Sequence, residues 1–158
     1  MNDTTNNELL RILEAHEITI AALYQAFSVR LPTMVQLWDQ LANEEKEHAS
    51  WLRILREHMD TEGTLLNRRS FNSVAVQTSI DYIKRRIAEM SGAEVKPLQA
   101  LAIGLDLETS MIEKEFFRVL PSDSAEMQKQ FMMLSEQTAN HRKMIEAFIA
   151  AERGKAAL

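Results

Sequence analysis

The chain contains no cysteine, which excludes disulfides, iron–sulfur ligation and thiol catalysis. It has four glycines and three prolines in 158 residues, little of the turn material that a sheet needs. No apolar run approaches the roughly 20 residues that span a bilayer, so a membrane is not expected as a partner. Basic residues are outnumbered as well, 18 Lys and Arg against 23 Asp and Glu. The formal net charge is −5, and no basic cluster exceeds short pairs such as Arg68-Arg69 and Arg85-Arg86, which argues against nucleic acid. The opening stretch from Met1 to Leu10 is polar and acidic rather than basic and then apolar. No secretory signal is expected, and a cytoplasmic location fits. Any redox chemistry must therefore use a metal or a bound cofactor.

What is present is a 46% apolar content, enough for one continuous core, so residues 1–158 read as a single domain. The apolar spacing is helical almost throughout. Thr5 with Glu8 offers a capping box for a first helix, Pro32 suits the first turn of a second, and Gly63 lies where that second helix should stop. Val76, Ile80, Ile83 and Ile87 predict a crossover helix over Val74 to Met90, ending near Gly92. A third helix should run from about Pro97 to about Leu120. There Pro121 and the Ser122-Asp123-Ser124 cluster break the chain and cap a fourth, which continues to roughly Glu152. The spacing predicts an all-α four-helix bundle: two antiparallel hairpins joined by a long crossover containing a short helix, the connectivity of ferritin-like bundles.

Steps of three and four trace a core stripe on each long helix. The first reads Leu10, Leu13, Glu17, Ile20, Tyr24, Phe27, Leu31, and the second Trp38, Leu41, Glu45, His48, Leu52, Leu55, Met59. The third reads Leu98, Leu101, Leu105, Glu108, Ile112, then Glu115 or Phe116, then Val119; the fourth reads Met127, Phe131, Leu134, Thr138, His141, Ile145, Phe148. Every stripe carries a polar interruption near its middle. Glu17 and Glu45 stand equally far on either side of Leu31, about 21 Å along each helix at 1.5 Å per residue, so folding at that turn brings them level. Glu108 and Thr138 match in the same way around the second turn. Three carboxylates in an apolar interior, with no Lys or Arg on the stripes, require shared protons, ordered water or cations, since desolvation and repulsion each cost several kcal/mol. The two imidazoles at that level favour a transition metal over calcium or magnesium.

The stretch Asn43-Glu44-Glu45-Lys46-Glu47-His48-Ala49, Glu17 with Tyr24 seven residues on, and Leu107-Glu108-Thr109-Ser110 resemble the motifs of the rubrerythrin-like branch of the ferritin-like superfamily. The similarity spans about residues 8 to 152. It implies a di-iron centre with Glu17 and Glu108 as carboxylate ligands, Glu45 as a bridge with His48 beside it, and His141 as the second imidazole. It also implies one or two non-haem iron ions as cofactor, with zinc or manganese as alternatives. Where the family has a second Glu-x-x-His pair, this chain has Thr138-Ala139-Asn140-His141, so a bridging carboxylate is missing. Gln137 or Glu115 would have to lean inward to replace it.

Two functions follow as expectations. One is an oxidoreductase that reduces peroxide or dioxygen, taking electrons from a separate donor protein because a chain without cysteine lacks the cysteine-ligated iron domain of the family's peroxidases. The other is a non-catalytic bundle with a partial or lost metal site, acting in iron handling or as an interaction module. Tyr24 reads either as a core residue whose hydroxyl bonds a carboxylate or as a redox group beside the metal. His16 and His58 read as solvated, Trp38 and Trp51 as packing residues, and the methionines, including Met111, Met132, Met133 and Met144, as core filler or interface. A homodimer is the assembly that the family implies.

Overall fold

The computed structural model describes residues 3–62, 73–110 and 125–156, and among these the chain is all-helical, without a strand. Five helices pack together as a bundle: α1 (Asp3–Arg30), α2 (Val35–Glu62), α3 (Ser73–Glu89), α4 (Pro97–Thr109) and α5 (Ala125–Ala156). The turn between α1 and α2 is set locally. Leu31, at φ −126° and ψ 73°, leaves the helix, and Pro32 opens a 3₁₀ turn over Pro32–Met34, where its missing N–H costs nothing. α1 lies along α2, α3 covers another face of α1, and α4 lies along α5. Among the described residues no single helix is long and apolar enough to cross a membrane.

The core is split into two apolar clusters. One gathers Leu10 and Leu13 of α1, Leu52 and Leu55 of α2, Val76 and Ile80 of α3, and Phe131 and Leu134 of α5. The other gathers Ile20, Tyr24 and Phe27 of α1, Trp38 and Leu41 of α2, Ala100 and Leu101 of α4, and Ile145 of α5. On α1, α2 and α5 the polar interruptions fall between the two clusters in sequence position, while on α4 Glu108 follows Leu101 and Leu107 of the second cluster. All seven residues of the first stripe are buried, as are the second from Trp38 to Leu55 and the fourth from Phe131 to Ile145.

The third stripe is less regular than its spacing predicts. Leu98 is 40% exposed and Leu105 only partly buried, whereas Leu101 and Glu108 are buried. α4 also ends at Thr109 rather than near Leu120, because Ser110 adopts ψ 132°. The side chains there compete with the helix for its own carbonyls: the Thr109 hydroxyl donates to Leu105 O at 2.7 Å and the Ser110 hydroxyl to Leu107 O at 2.9 Å. The expected positions Ile112, Glu115, Phe116, Val119 and Met111, and the predicted break at Pro121 to Ser124, lie outside the described residues. So do Gly63 and the side chains of Thr5, Met59 and Met127.

His16 corrects another expectation. It is 1% exposed, and its Nε2 lies 2.8 Å from the Ser79 hydroxyl on α3. Its place one position off the core line predicts a solvated ring, but α3 covers that face of α1. His58, by contrast, is exposed, as are Met132 and Met133, while Met144 is half-buried.

Trp38 is the largest fully buried side chain. Its ring sits 5.3 Å from Tyr24 and 4.8 Å from Phe27, centre to centre. Gly104 of α4 makes room for it: a Cβ there would lie 3.2 Å from the Trp38 ring and 3.2 Å from Ile145 Cδ1. Ala at this site would gain roughly 1 kcal/mol of helix propensity and lose about as much to crowding, but a branched side chain cannot be accommodated by a ring held on two sides. Gly104→Val is therefore expected to lower unfolding free energy by about 2 kcal/mol, read as a lower urea midpoint at unchanged m-value. An unchanged midpoint would contradict the contact.

Candidate metal centre

Four helices deliver their polar side chains to one level. α1 supplies Glu17; α2 supplies Glu45 and His48, one turn apart on the same face; α4 supplies Glu108 from its last turn; α5 supplies Thr138 and His141, again one turn apart. All six are buried, and His141 is wholly so.

The five predicted ligands fall into two groups that share one member. Ligand atoms of Glu17, Glu45 and His48 lie within 4.8 Å of one another, and so do those of Glu45, Glu108 and His141. His141 Nδ1 is 2.9 Å from Glu45 Oε1 and 3.5 Å from Glu108 Oε1, while His48 Nδ1 is 3.2 Å from Glu45 Oε2. The two imidazoles are stacked, 5.4 Å apart and inclined by 19°. Glu45 thus stands between two neighbouring positions, one oxygen towards each imidazole.

Each imidazole turns Nδ1 inward and Nε2 outward. His48 Nε2 lies 2.6 Å from Gln137 Oε1, and His141 Nε2 lies 2.6 Å from Glu44 Oε2. Neither oxygen can donate a proton, so both Nε2 atoms carry hydrogen in these contacts. A hydrogen fixed on Nε2 leaves Nδ1 of a neutral ring with its lone pair free for a cation, the arrangement of metal-bound histidines. Gln137 does lean inward, but onto His48 rather than into the ring of ligands. Glu44 lies one position off the stripe and is half-exposed, so spacing on α2 does not mark it: one of its oxygens accepts from Gln40 of its own helix at 2.8 Å, and the approach of α5 brings His141 to the other. The Tyr24 hydroxyl donates to Glu108 Oε1 at 2.6 Å, the bond to a carboxylate expected of it as a core residue. Thr138 is buried at this level, but its hydroxyl donates to Leu134 O of its own helix at 3.0 Å. Glu115 lies outside the described residues.

Without a cation the group holds itself together by protons. Burial alone would push Glu45 up, but hydrogen bonds from His141 and His48 override it and hold Glu45 far below the usual carboxylate range. Glu45 is also hydrogen-bonded to Glu17. Burial opposes charge on both imidazoles, yet Glu45 raises His48, and Glu108 with Glu45 pushes His141 up to about 11.

These residues fit a metal ion. The carboxylates that hold a proton on His141 attract a divalent ion more strongly still, since it carries twice the charge. His141 Nδ1 is a buried nitrogen turned into the group, with Glu45 Oε1 and Glu108 Oε1 within 3.5 Å of it. Oxygen and imidazole donors together suit iron, zinc or manganese better than calcium. Comparison of the chain with known protein families, with curated proteins and with solved structures finds no match to any of them.

Proposed function

We propose that this chain is a non-haem iron protein of the rubrerythrin-like, ferritin-like kind, an oxidoreductase that reduces peroxide or dioxygen. The observation that carries this reading is Glu45, buried and shared between two three-residue donor groups at one level of a helical bundle. Positions that share a carboxylate suit a pair of ions about 3.5–4 Å apart. The stripe order of Glu, Glu-x-x-His, Glu and His over four helices supports the ferritin-like topology.

Iron, when bound, supplies electrons and Lewis acidity for reduction of an oxygen species. The chain's own residues do the rest. Apolar clusters on both sides of the level keep bulk water out, which strengthens every charge interaction within it. Tyr24 holds a proton at its hydroxyl 2.6 Å from Glu108 Oε1 and directs that carboxylate. Gln137 and Glu44 hold both imidazoles with Nδ1 inward. Electrons come from a separate donor protein, because the chain has no cysteine with which to carry an iron–sulfur relay. Zinc and manganese are the ions that compete for the same donors.

The test is anaerobic titration of metal-free protein with iron(II), followed by addition of peroxide. Iron bound at about two ions per chain, and reoxidised by peroxide, is the expected result. No bound iron, or bound iron indifferent to peroxide and to dioxygen admitted in its place, overturns the proposal. Thr138 sets a second expectation. It stands where a second bridging carboxylate would complete the charge balance, so Thr138→Glu is expected to tighten the weaker ion about 10-fold or more. Unchanged affinity would mean that this position does not limit the centre.

A further inference from the structure

The outer partners of the two imidazoles follow one frame on two helices. On α2, Glu44 is followed by Glu45 and, three residues later, His48; on α5, Gln137 is followed by Thr138 and, three residues later, His141. The first member of each frame reaches across to the histidine of the other: Glu44 holds His141 and Gln137 holds His48, both at 2.6 Å. The frames are alike in geometry and unlike in charge. α2 carries carboxylates at both places, whereas α5 carries a neutral amide and a neutral hydroxyl.

From this we infer, on the footing of the metal-binding reading above, that the two cation positions are unequal: the one made by Glu45, Glu108 and His141 fills first, and the one made by Glu17, Glu45 and His48 holds its ion loosely. A carboxylate accepting the Nε2 hydrogen of His141 adds negative charge behind the ring and makes Nδ1 a stronger donor. An amide oxygen behind His48 does so far less. The loose ion is the exchangeable one, and Gln137 is the positioning residue that keeps it so. Neither Glu44 nor Gln137 is fully buried, so each can be replaced by its isostere without opening the core.

Manganese(II), which stays in one oxidation state, is the probe. Chelator-stripped full-length protein is titrated and the free ion followed by its EPR signal. Two steps separated by at least about 10-fold in Kd are expected. Glu108→Gln should remove the tight step and Glu17→Gln the weak one, which assigns them. Glu44→Gln should raise the Kd of the tight step about 10- to 100-fold, and Gln137→Glu should lower that of the weak step by a similar factor. A single step upholds the inference only if Glu108→Gln abolishes it and Glu17→Gln leaves it. Equal steps, the reverse assignment, or a tight step indifferent to Glu44→Gln overturns the inference while leaving the metal-binding reading intact. No manganese(II) or iron(II) bound by the unaltered chain overturns both.

Discussion

Glu45→Ala is expected to abolish binding at both cation positions at once, because it is the one side chain common to both donor groups. Glu17→Gln and Glu108→Gln each touch one group, so each should spare an ion. His16→Ala should spare both, since the His16 ring is engaged with Ser79 and belongs to neither group. The measurement is metal content after equilibrium dialysis against a metal-buffered solution, with Glu45→Gln as the control of equal shape. The same substitution should weaken the metal-free protein. Breaking a buried ion pair costs about 3–5 kcal/mol when the remaining charge cannot escape, but an imidazole can shed its proton, so a loss nearer 2 kcal/mol is expected. Retention of one ion by Glu45→Ala would show that the carboxylate does not serve both positions.

The second large effect is on pH. In the metal-free protein His141 is pushed up to about 11 from an ordinary 6.5, so its stabilising contribution is complete below 6.5 and is lost as pH rises through about 11. His48 is raised as well and acts in the same direction. Glu45 is lowered from 4.5, so its contribution is complete above 4.5 and is lost only on strong acidification. The metal-free bundle should therefore be most stable between pH 4.5 and 6.5. Each further pH unit should then remove roughly 1.4 kcal/mol through His141, or roughly 3 kcal/mol over two units. Metal binding should run the other way. The ion replaces protons on both imidazoles, so its affinity rises across the range in which the metal-free protein weakens. Urea midpoints in the presence of chelator, measured from pH 6 to 9, test the first half; a flat or rising profile would remove the buried imidazolium from the account. Metal titrations at the same pH values test the second.

These effects explain why so much of the centre was legible in the sequence. Glu17, Glu45, His48, Glu108 and His141 interrupt apolar stripes, and helical periodicity fixes which face a residue shares with its neighbours along the same helix. Folding at Leu31, where Pro32 forces a turn, then fixes the level of the first pair. Burial of the stripes on α1, α2 and α5, and of Glu108 at the end of α4, leaves those five side chains nowhere to go but towards one another. Periodicity is silent about a neighbour on a different helix. Leu98 has the spacing of a core residue, yet the partners of α4 leave it in contact with water. His16 has the spacing of a solvated residue, yet α3 covers it. The end of α4 at Thr109 depended on side-chain hydroxyls competing for carbonyls, a local balance that propensity alone does not decide.

By itself, then, the sequence determined the helices, the apolar stripes and the five polar side chains that break them, because each of these is a property of one helix and its 3.6-residue period. Only the tertiary structure decided that Glu44 would hold His141 and Gln137 would hold His48. Those contacts are made between α2 and α5, across a gap whose width is set by how the buried side chains pack, and no residue spacing encodes it.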